Sequence, residues 1–318
     1  MKKILWIYPK YLKNQSYFFA IKKKFKSIRI KFVEGSDTNQ IFQQVKNATV
    51  LINCPSRLFN RKLISKAKKL DWVHFGGSGV EPLLFRNFIK SKIQLTNGKI
   101  IQGPEVAEHA ISLMLYFNRN LGSFLNKKKI FNRPVEILNK KCGIIGGGGI
   151  GLCLAEKLKS FGAKTRIFDD KLIPLLNIID EYFDSSEILN NISDLDYLFS
   201  AAPLTKYTNG LINSGFLKKM KRGSILINVS RGKIIKTKDL LKNKLYKKFK
   251  GIALDVTDPE PLPHNDTLRS IENIIITNHT AGLSDKNRAR SYRLIETNIK
   301  RYILKRPLLN IVDKERGF

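Results

Sequence analysis

The sequence predicts an α/β protein built from two doubly wound parallel-sheet domains. Three observations carry that expectation. Short apolar runs alternate with amphipathic stretches of helical length along nearly all of the 318 residues. The alternation falls into two series, with Gly103-Pro104 as the punctuation between them. The length also exceeds the roughly 100–200 residues expected of one domain.

In the first series the expected strands are 3–7, 28–33, 49–52, 72–75 and 93–96. Helical patterns lie between them at 17–25, 39–46, 58–68 and 80–88. A long helix is expected from Glu105 to about Asn120, with Val106, Ala110, Leu113, Met114 and Phe117 on one stripe. Leu115 and Tyr116 lie off that stripe, so the helix reads either as a buried core helix or as one that also meets a second subunit. The second series has expected strands at 142–145, 165–168, 197–200, 224–229, 251–256 and 274–277. A last amphipathic helix runs from Ser284, an N-cap candidate, to about Leu304 before Pro307. Domain junctions are expected near Gly103 and Leu283.

Composition narrows the function classes. Apolar residues make up 42% and charged residues 26% of the chain, a globular balance rather than a disordered one. No apolar run reaches the roughly 18–20 residues that a bilayer span needs. The first seven residues hold a four-residue apolar stretch, too short for a signal-peptide core, so the expected compartment is the cytoplasm. Three cysteines without paired or metal-ligand spacing fit a reducing compartment and give no metal site. The formal charge of +32 comes from 42 Lys and 16 Arg spread over almost every segment. It reads as a diffuse solvated surface that attracts anionic substrates, and a nucleic-acid partner is set aside.

Residues 146–151 read Gly-Gly-Gly-Gly-Ile-Gly, a G-x-G-x-x-G between an expected strand and an expected helix. Gly146 serves the tight turn, Gly148 lets backbone approach a pyrophosphate, and Gly151 allows close helix packing on the strand. The helix N-terminus then offers free N–H groups to the anion. Asp169 lies 18 residues past Gly151 at the end of the next strand, placed to accept hydrogen bonds from an adenosine ribose. A carboxylate there repels a 2′-phosphate, so NAD is favoured over NADP. Lys171 close by tempers that preference.

Ligands of open α/β sheets sit beyond the carboxyl ends of the strands. Arg231, Asp255 with Glu260, and His279 follow three strands of the second series in turn. Moving a hydride between nicotinamide and a 2-hydroxy acid needs a proton donor and acceptor, which suits His279. It needs a cation for the substrate carboxylate, which suits the fork of Arg231. It also needs a carboxylate to hold the imidazole, which suits Glu260.

These residues resemble the D-isomer-specific 2-hydroxyacid dehydrogenases, a family that includes phosphoglycerate dehydrogenases and glyoxylate/hydroxypyruvate reductases. The resemblance runs through nearly the whole chain. It rests on Asn97-Gly98, the run from Gly103 to His109, residues 146–151 with Asp169, and Pro203-Leu204-Thr205. It continues through residues 228–232, 253–256, 259–263 and 279–282. The intervals of 29 residues from Arg231 to Glu260 and 19 from Glu260 to His279 are family-like.

The resemblance implies a Rossmann NAD-binding domain, 104–282, inserted into a flavodoxin-like substrate domain, 1–103 and 283–318. Residues 104–121 would form the dimerisation helix of a homodimer. It implies Arg231, Glu260 and His279 as catalytic residues. Gly146, Gly148, Gly149, Ile150, Gly151, Asp169, Pro203, Thr208, Val229, Ser230, Arg231, Asp255, His279 and Gly282 would surround the cofactor, with Asp255 meeting the nicotinamide carboxamide. Gly77, Ser78 and Gly79 would join Arg231 and His279 at a small 2-keto or 2-hydroxy acid. Ala201, Asn278 and Glu81 depart from the family pattern and leave the substrate open. The alternative is a cofactor-sensing, corepressor-like binding protein of the same fold.

Overall fold

The computed structural model describes residues 2–12, 14–125, 133–171 and 176–318. It divides into two compact units, Met1–Lys99 with Arg288–Phe318, and Ile100–Asn287. Their limits lie a few residues from the expected junctions for a packing reason. Gly103 already belongs to the second unit, where a Cβ on it would lie 2.6 Å from the Gly149 carbonyl oxygen.

The first unit holds a parallel five-stranded sheet in the order β2-β1-β3-β4-β5. The strands are β1 (Lys3–Tyr8), β2 (Arg29–Glu34), β3 (Val50–Ile52), β4 (Trp72–Phe75) and β5 (Gln94–Asn97). Both faces are covered, so the strands read as continuous apolar runs. Leu5 and Ile7 face one core with Leu51, Leu63, Val73 and Phe88. Ile4 and Trp6 face the other with Ile21, Trp72, Ile295 and Ile299, the last two from the C-terminal helix Asn287–Ile303.

Side-chain caps set the helix starts. Asn14 caps α1 (Gln15–Lys24), Asp37 caps α2 (Thr38–Gln44) and Asn60 caps α3 (Arg61–Lys66). The cap at Asn60 shortens the helix expected over 58–68, leaving Leu58 and Phe59 buried in the preceding turn. The helix expected over 80–88 splits instead. Pro82 sits in a single 3-10 turn, and Phe85 turns extended before the short α4 (Arg86–Ile89).

The second unit holds a parallel seven-stranded sheet in the order β12-β11-β10-β9-β6-β7-β8. Its strands are β6 (Lys141–Ile145), β7 (Lys164–Phe168), β8 (Glu181–Phe183), β9 (Tyr197–Ser200), β10 (Ile225–Asn228), β11 (Gly251–Leu254) and β12 (Ile274–Ile276). Strand β8 is an addition to the expected set. It is a three-residue edge strand, half-buried, with no apolar run to announce it. The chain builds outward from β6 to β8 and then returns to the other side of β6 with β9, which makes a topological switch beside β6.

The helices of this unit are α5 (Gly103–Asn118), α6 (Leu121–Leu125), α7 (Gly149–Ser160), α8 (Ser214–Lys219) and α9 (Thr237–Leu241). α5 packs on α7 and across β10 and β11. Its expected stripe is buried, and Leu115 and Tyr116 lie half-buried against the same core. Among the described residues, no helix is long and apolar enough to cross a membrane.

Candidate functional site

The glycine turn closes β6 at the switch point. Gly146 has φ of +96°, in the left-handed region that favours glycine. Its N–H donates to the Phe168 carbonyl of β7 at 2.8 Å, and a Cβ on it would lie 2.8 Å from Cα of Ala202. The turn therefore presses on the segment that leads from β9 to Pro203. A Cβ on Gly151 would collide with the Gly146 carbonyl, so glycine there lets α7 start directly against the turn. Gly149 meets the backbone of Ile100 in the same way, and Ile150 packs half-buried on the core.

Gly148 is different. It is the N-cap of α7, it has no side chain to cap the first turn, and a Cβ on it would meet nothing within 4 Å. That leaves an open cradle at the N-terminus of a 12-residue helix, where N–H groups and the helix dipole favour a pyrophosphate. Asp169 is beside it: its Oδ2 accepts from Gly147 N–H at 2.7 Å and its Oδ1 from Lys171 N–H at 2.9 Å. Tyr182 of β8 donates its hydroxyl to the Asp169 carbonyl at 2.6 Å, fixing the end of β7. These residues fit a nicotinamide dinucleotide. After β9, Thr208 Oγ1 donates to the Pro203 carbonyl at 2.6 Å and accepts from Thr205 N–H at 2.8 Å, closing one compact turn.

The next three strand ends hold the remaining candidate residues. After β10, the buried Asn228 accepts from Ser230 N–H at 3.2 Å and Ser230 Oγ at 2.8 Å, and donates to the Arg231 carbonyl at 2.9 Å. Ser200 and Ser230 share a hydroxyl hydrogen bond of 2.7 Å. Val229 is buried between them in sequence, and Arg231 is half-buried with Nη1 on the Ser230 carbonyl at 2.7 Å. A Cβ on Gly232 would overlap the Thr257 carbonyl, so this loop lies flat on the loop that follows β11. That second loop carries Glu260, whose Oε1 pairs with His279 Nδ1 from the loop after β12. The two side chains are 40% and 48% exposed, so the imidazole is held at Nδ1 in a pair that is open to solvent.

Asp255 lies beneath this pair and is 2% exposed. Its Oδ1 accepts from Thr277 Oγ1 and from Thr280 N–H at 3.0 Å, and its Oδ2 from Ala281 N–H at 3.1 Å. Its backbone carbonyl accepts from His279 N–H at 2.8 Å. Burial pushes its acidity down, but donors from His109, Thr277, Thr280 and Ala281 outweigh it and hold the carboxyl at about 2, so it is ionised. Oδ2 carries one protein donor among the described residues, which leaves it able to accept an amide N–H. His279 itself has φ of +53°, a left-handed conformation that this mesh of bonds sustains.

The structure thus gathers Arg231, Glu260, His279 and Asp255 at the ends of adjacent strands β10, β11 and β12. Gly282 closes the last loop, where a Cβ would lie 2.8 Å from Gln102 Nε2. Gly77, Ser78 and Gly79 belong to the other unit. There Gly98 N–H donates to the Gly77 carbonyl at 2.9 Å and Ser78 Oγ to the Gly98 carbonyl at 3.4 Å, tying the turn after β4 to the end of β5. Sequence reasoning gave no role to His109, Thr277 or Asn228. The one available signal was polarity: His109 is a polar residue beside the apolar stripe of α5, and Thr277 closes a strand. Among the described residues, no group of three or more His, Cys, Asp or Glu could hold a metal ion.

Comparison with known proteins gives a consistent picture. The model of the D-isomer specific 2-hydroxyacid dehydrogenase NAD binding domain matches residues 111–281. An uncharacterized protein encoded in the proB 3′ region of Corynebacterium melassecola is 31% identical, covering 79% of this chain and 84% of its own length. A glyoxylate reductase of Korarchaeum cryptofilum is 26% identical, covering 81% of each chain. The crystal structure of a D-isomer specific 2-hydroxyacid dehydrogenase from Xanthobacter autotrophicus, in complex with NADPH and MES, superposes with a TM-score of 0.83 at 20% identity. That superposition covers 100% of both chains and bears on the fold.

Proposed function

Because this chain belongs to the D-isomer specific 2-hydroxyacid dehydrogenase family and is an oxidoreductase, we propose that it interconverts a small 2-keto acid and the D-2-hydroxy acid, with NAD as its coenzyme. The coenzyme, when bound, supplies or accepts the hydride. Every other task falls to the chain. Arg231 pairs its planar guanidinium with the substrate carboxylate. His279, held through Nδ1 by Glu260, gives a proton from Nε2 to the keto oxygen during reduction and takes it back during oxidation. Glu260 sets the tautomer and stabilises the imidazolium.

Gly146, Gly148 and Gly151, with Gly149 and Ile150, form the pyrophosphate turn, and Asp169 accepts from the adenosine ribose. Pro203, Thr208, Val229, Ser230 and Gly282 line the cofactor in this reading, and Asp255 offers Oδ2 to the carboxamide. Gly77, Ser78 and Gly79 join the substrate residues on the family resemblance alone. The carboxylate of Asp169 beside the cradle supports NAD over NADP. The exposed Leu121, Phe124 and Leu125 that follow α5 support a homodimer through this region.

The observation that carries the proposal is the pairing of His279 Nδ1 with Glu260, on the same sheet edge as Arg231. The test is NADH absorbance decay with a panel that includes glyoxylate and hydroxypyruvate. Turnover of at least one keto acid, with NADH preferred to NADPH, is expected. NADH binding with no turnover across the panel would overturn the catalytic reading in favour of a cofactor-sensing binding protein.

A further inference from the structure

One histidine of α5 has no part in the mechanism above, yet it reaches the centre of it. His109 Nε2 lies 3.1 Å from Thr277 Oγ1 and 3.4 Å from Asp255 Oδ1. The Thr277 hydroxyl has one hydrogen, and it donates that hydrogen to Asp255. Thr277 can therefore only accept from the imidazole, so the proton of His109 is on Nε2. The N–H is shared between the hydroxyl and the carboxylate.

The other donors to the Asp255 carboxylate, Thr277, Thr280 and Ala281, all come from the loop that Asp255 itself pins. His109 is the exception. It comes from a helix 168 residues away in sequence from Thr277, and α5 packs directly across β11. The imidazole thus ties α5 to the base of the loop carrying His279, and inside that loop His279 is held in a left-handed conformation.

We propose that His109 is a positioning residue for the reaction: it clamps Asp255 and Thr277 so that the 277–281 loop presents His279 to substrate in one orientation. A reacting group displaced by even about 1 Å loses much of its rate, so the clamp acts on turnover while leaving the coenzyme cradle at α7 alone. The proposal rests on the reading above for its chemistry, but its geometry can be tested without turnover.

The experiment measures amide hydrogen exchange across residues 277–282 of the ligand-free protein, NADH affinity by fluorescence, and kcat with the best keto acid. It compares wild type with His109→Leu and His109→Gln, since a glutamine Nε2–H reaches about as far as the imidazole Nε2–H. In His109→Leu the Thr280 and Ala281 amides should exchange about tenfold faster and kcat should fall about tenfold, with NADH affinity within about threefold of wild type. His109→Gln should restore both. Thr277→Val, which removes the bridging hydroxyl, should repeat the loss and decides the matter if His109→Leu does not fold. Wild-type exchange in both His109→Leu and Thr277→Val, or a loss that His109→Gln does not repair, overturns the clamp. If wild type turns over no keto acid, the functional reading falls and the exchange arm still judges the clamp.

Discussion

His74 in the first unit and Asp255 in the second are both titratable side chains buried almost completely, and the two are treated in opposite ways. In the first unit His74 of β4 is 0% exposed. Among the described residues its one hydrogen-bond partner is Thr96 Oγ1, 2.9 Å from Nδ1, and that hydroxyl also accepts from Trp72 Nε1 at 2.8 Å. Nε2 is buried with no hydrogen bond among the described residues. Burial alone pushes its pKa down to about 3, and the ring stays neutral. In the second unit Asp255 is almost as buried, but donors converge on both oxygens and it stays ionised. Burial disfavours a charge wherever it occurs. A charge survives burial only where the fold supplies donors, and here it does so beneath the histidine that faces solvent.

The contrast has consequences that can be measured. The largest is acid sensitivity from His74. The unfolded chain takes up a proton near the ordinary histidine value of about 6.5, while the folded chain resists until about 3. Stability from this residue is therefore complete above about 6.5 and declines as the pH falls toward 3, by up to about 5 kcal/mol. Urea unfolding of wild type and His74→Gln at several pH values checks this, and the variant should show a flatter decline between 6.5 and 4. An equal slope in both would remove the contrast.

His279, accessible and paired, should behave in the reverse way to His74. His279→Ala is expected to lower turnover by about 10³-fold, about 4 kcal/mol in the barrier, while the midpoint of thermal unfolding and NADH affinity stay near wild type. Loss of NADH binding in this variant would contradict the assigned role.

Asp255 comes next. Its stabilisation is full above the ordinary carboxylate value of about 3.9 and is lost as pH falls to about 2, a window that lies mostly below that of His74. Asp255→Asn should cost about 2 kcal/mol at neutral pH in urea unfolding. The smallest effect concerns a more exposed carboxylate at a strand end. Asp169→Ala should reduce the preference for NADH over NADPH by about tenfold, read as a ratio of kcat/KM values. No change would remove Asp169 from the ribose.

Much of this was legible in the sequence, for reasons that differ by element. The inner strands of both sheets are covered on two faces, so β1, β3, β6, β9 and β10 appear as apolar runs. β8 escaped because an edge strand of three residues has no such run. Helix limits depended on caps that pattern alone does not rank, as at Asn60, and on Pro82 breaking the segment 80–88. The glycine turn was readable because each glycine answers a local backbone demand, as the φ of Gly146 illustrates. Arg231, Glu260 and His279 were readable as residues that follow strands of one parallel sheet.

The sequence by itself therefore determined the alternation of strands and helices, the glycine turn and the family, because these follow from local periodicity, local backbone conformation and motif spacing. Only the tertiary structure decided that Asp255 is an ionised latch, that His74 is a neutral one-partner side chain, and that His109 meets Thr277. Those properties depend on how many donors surround a buried atom. That number is set when α5 comes to lie across β11, and no stretch of neighbouring residues encodes it.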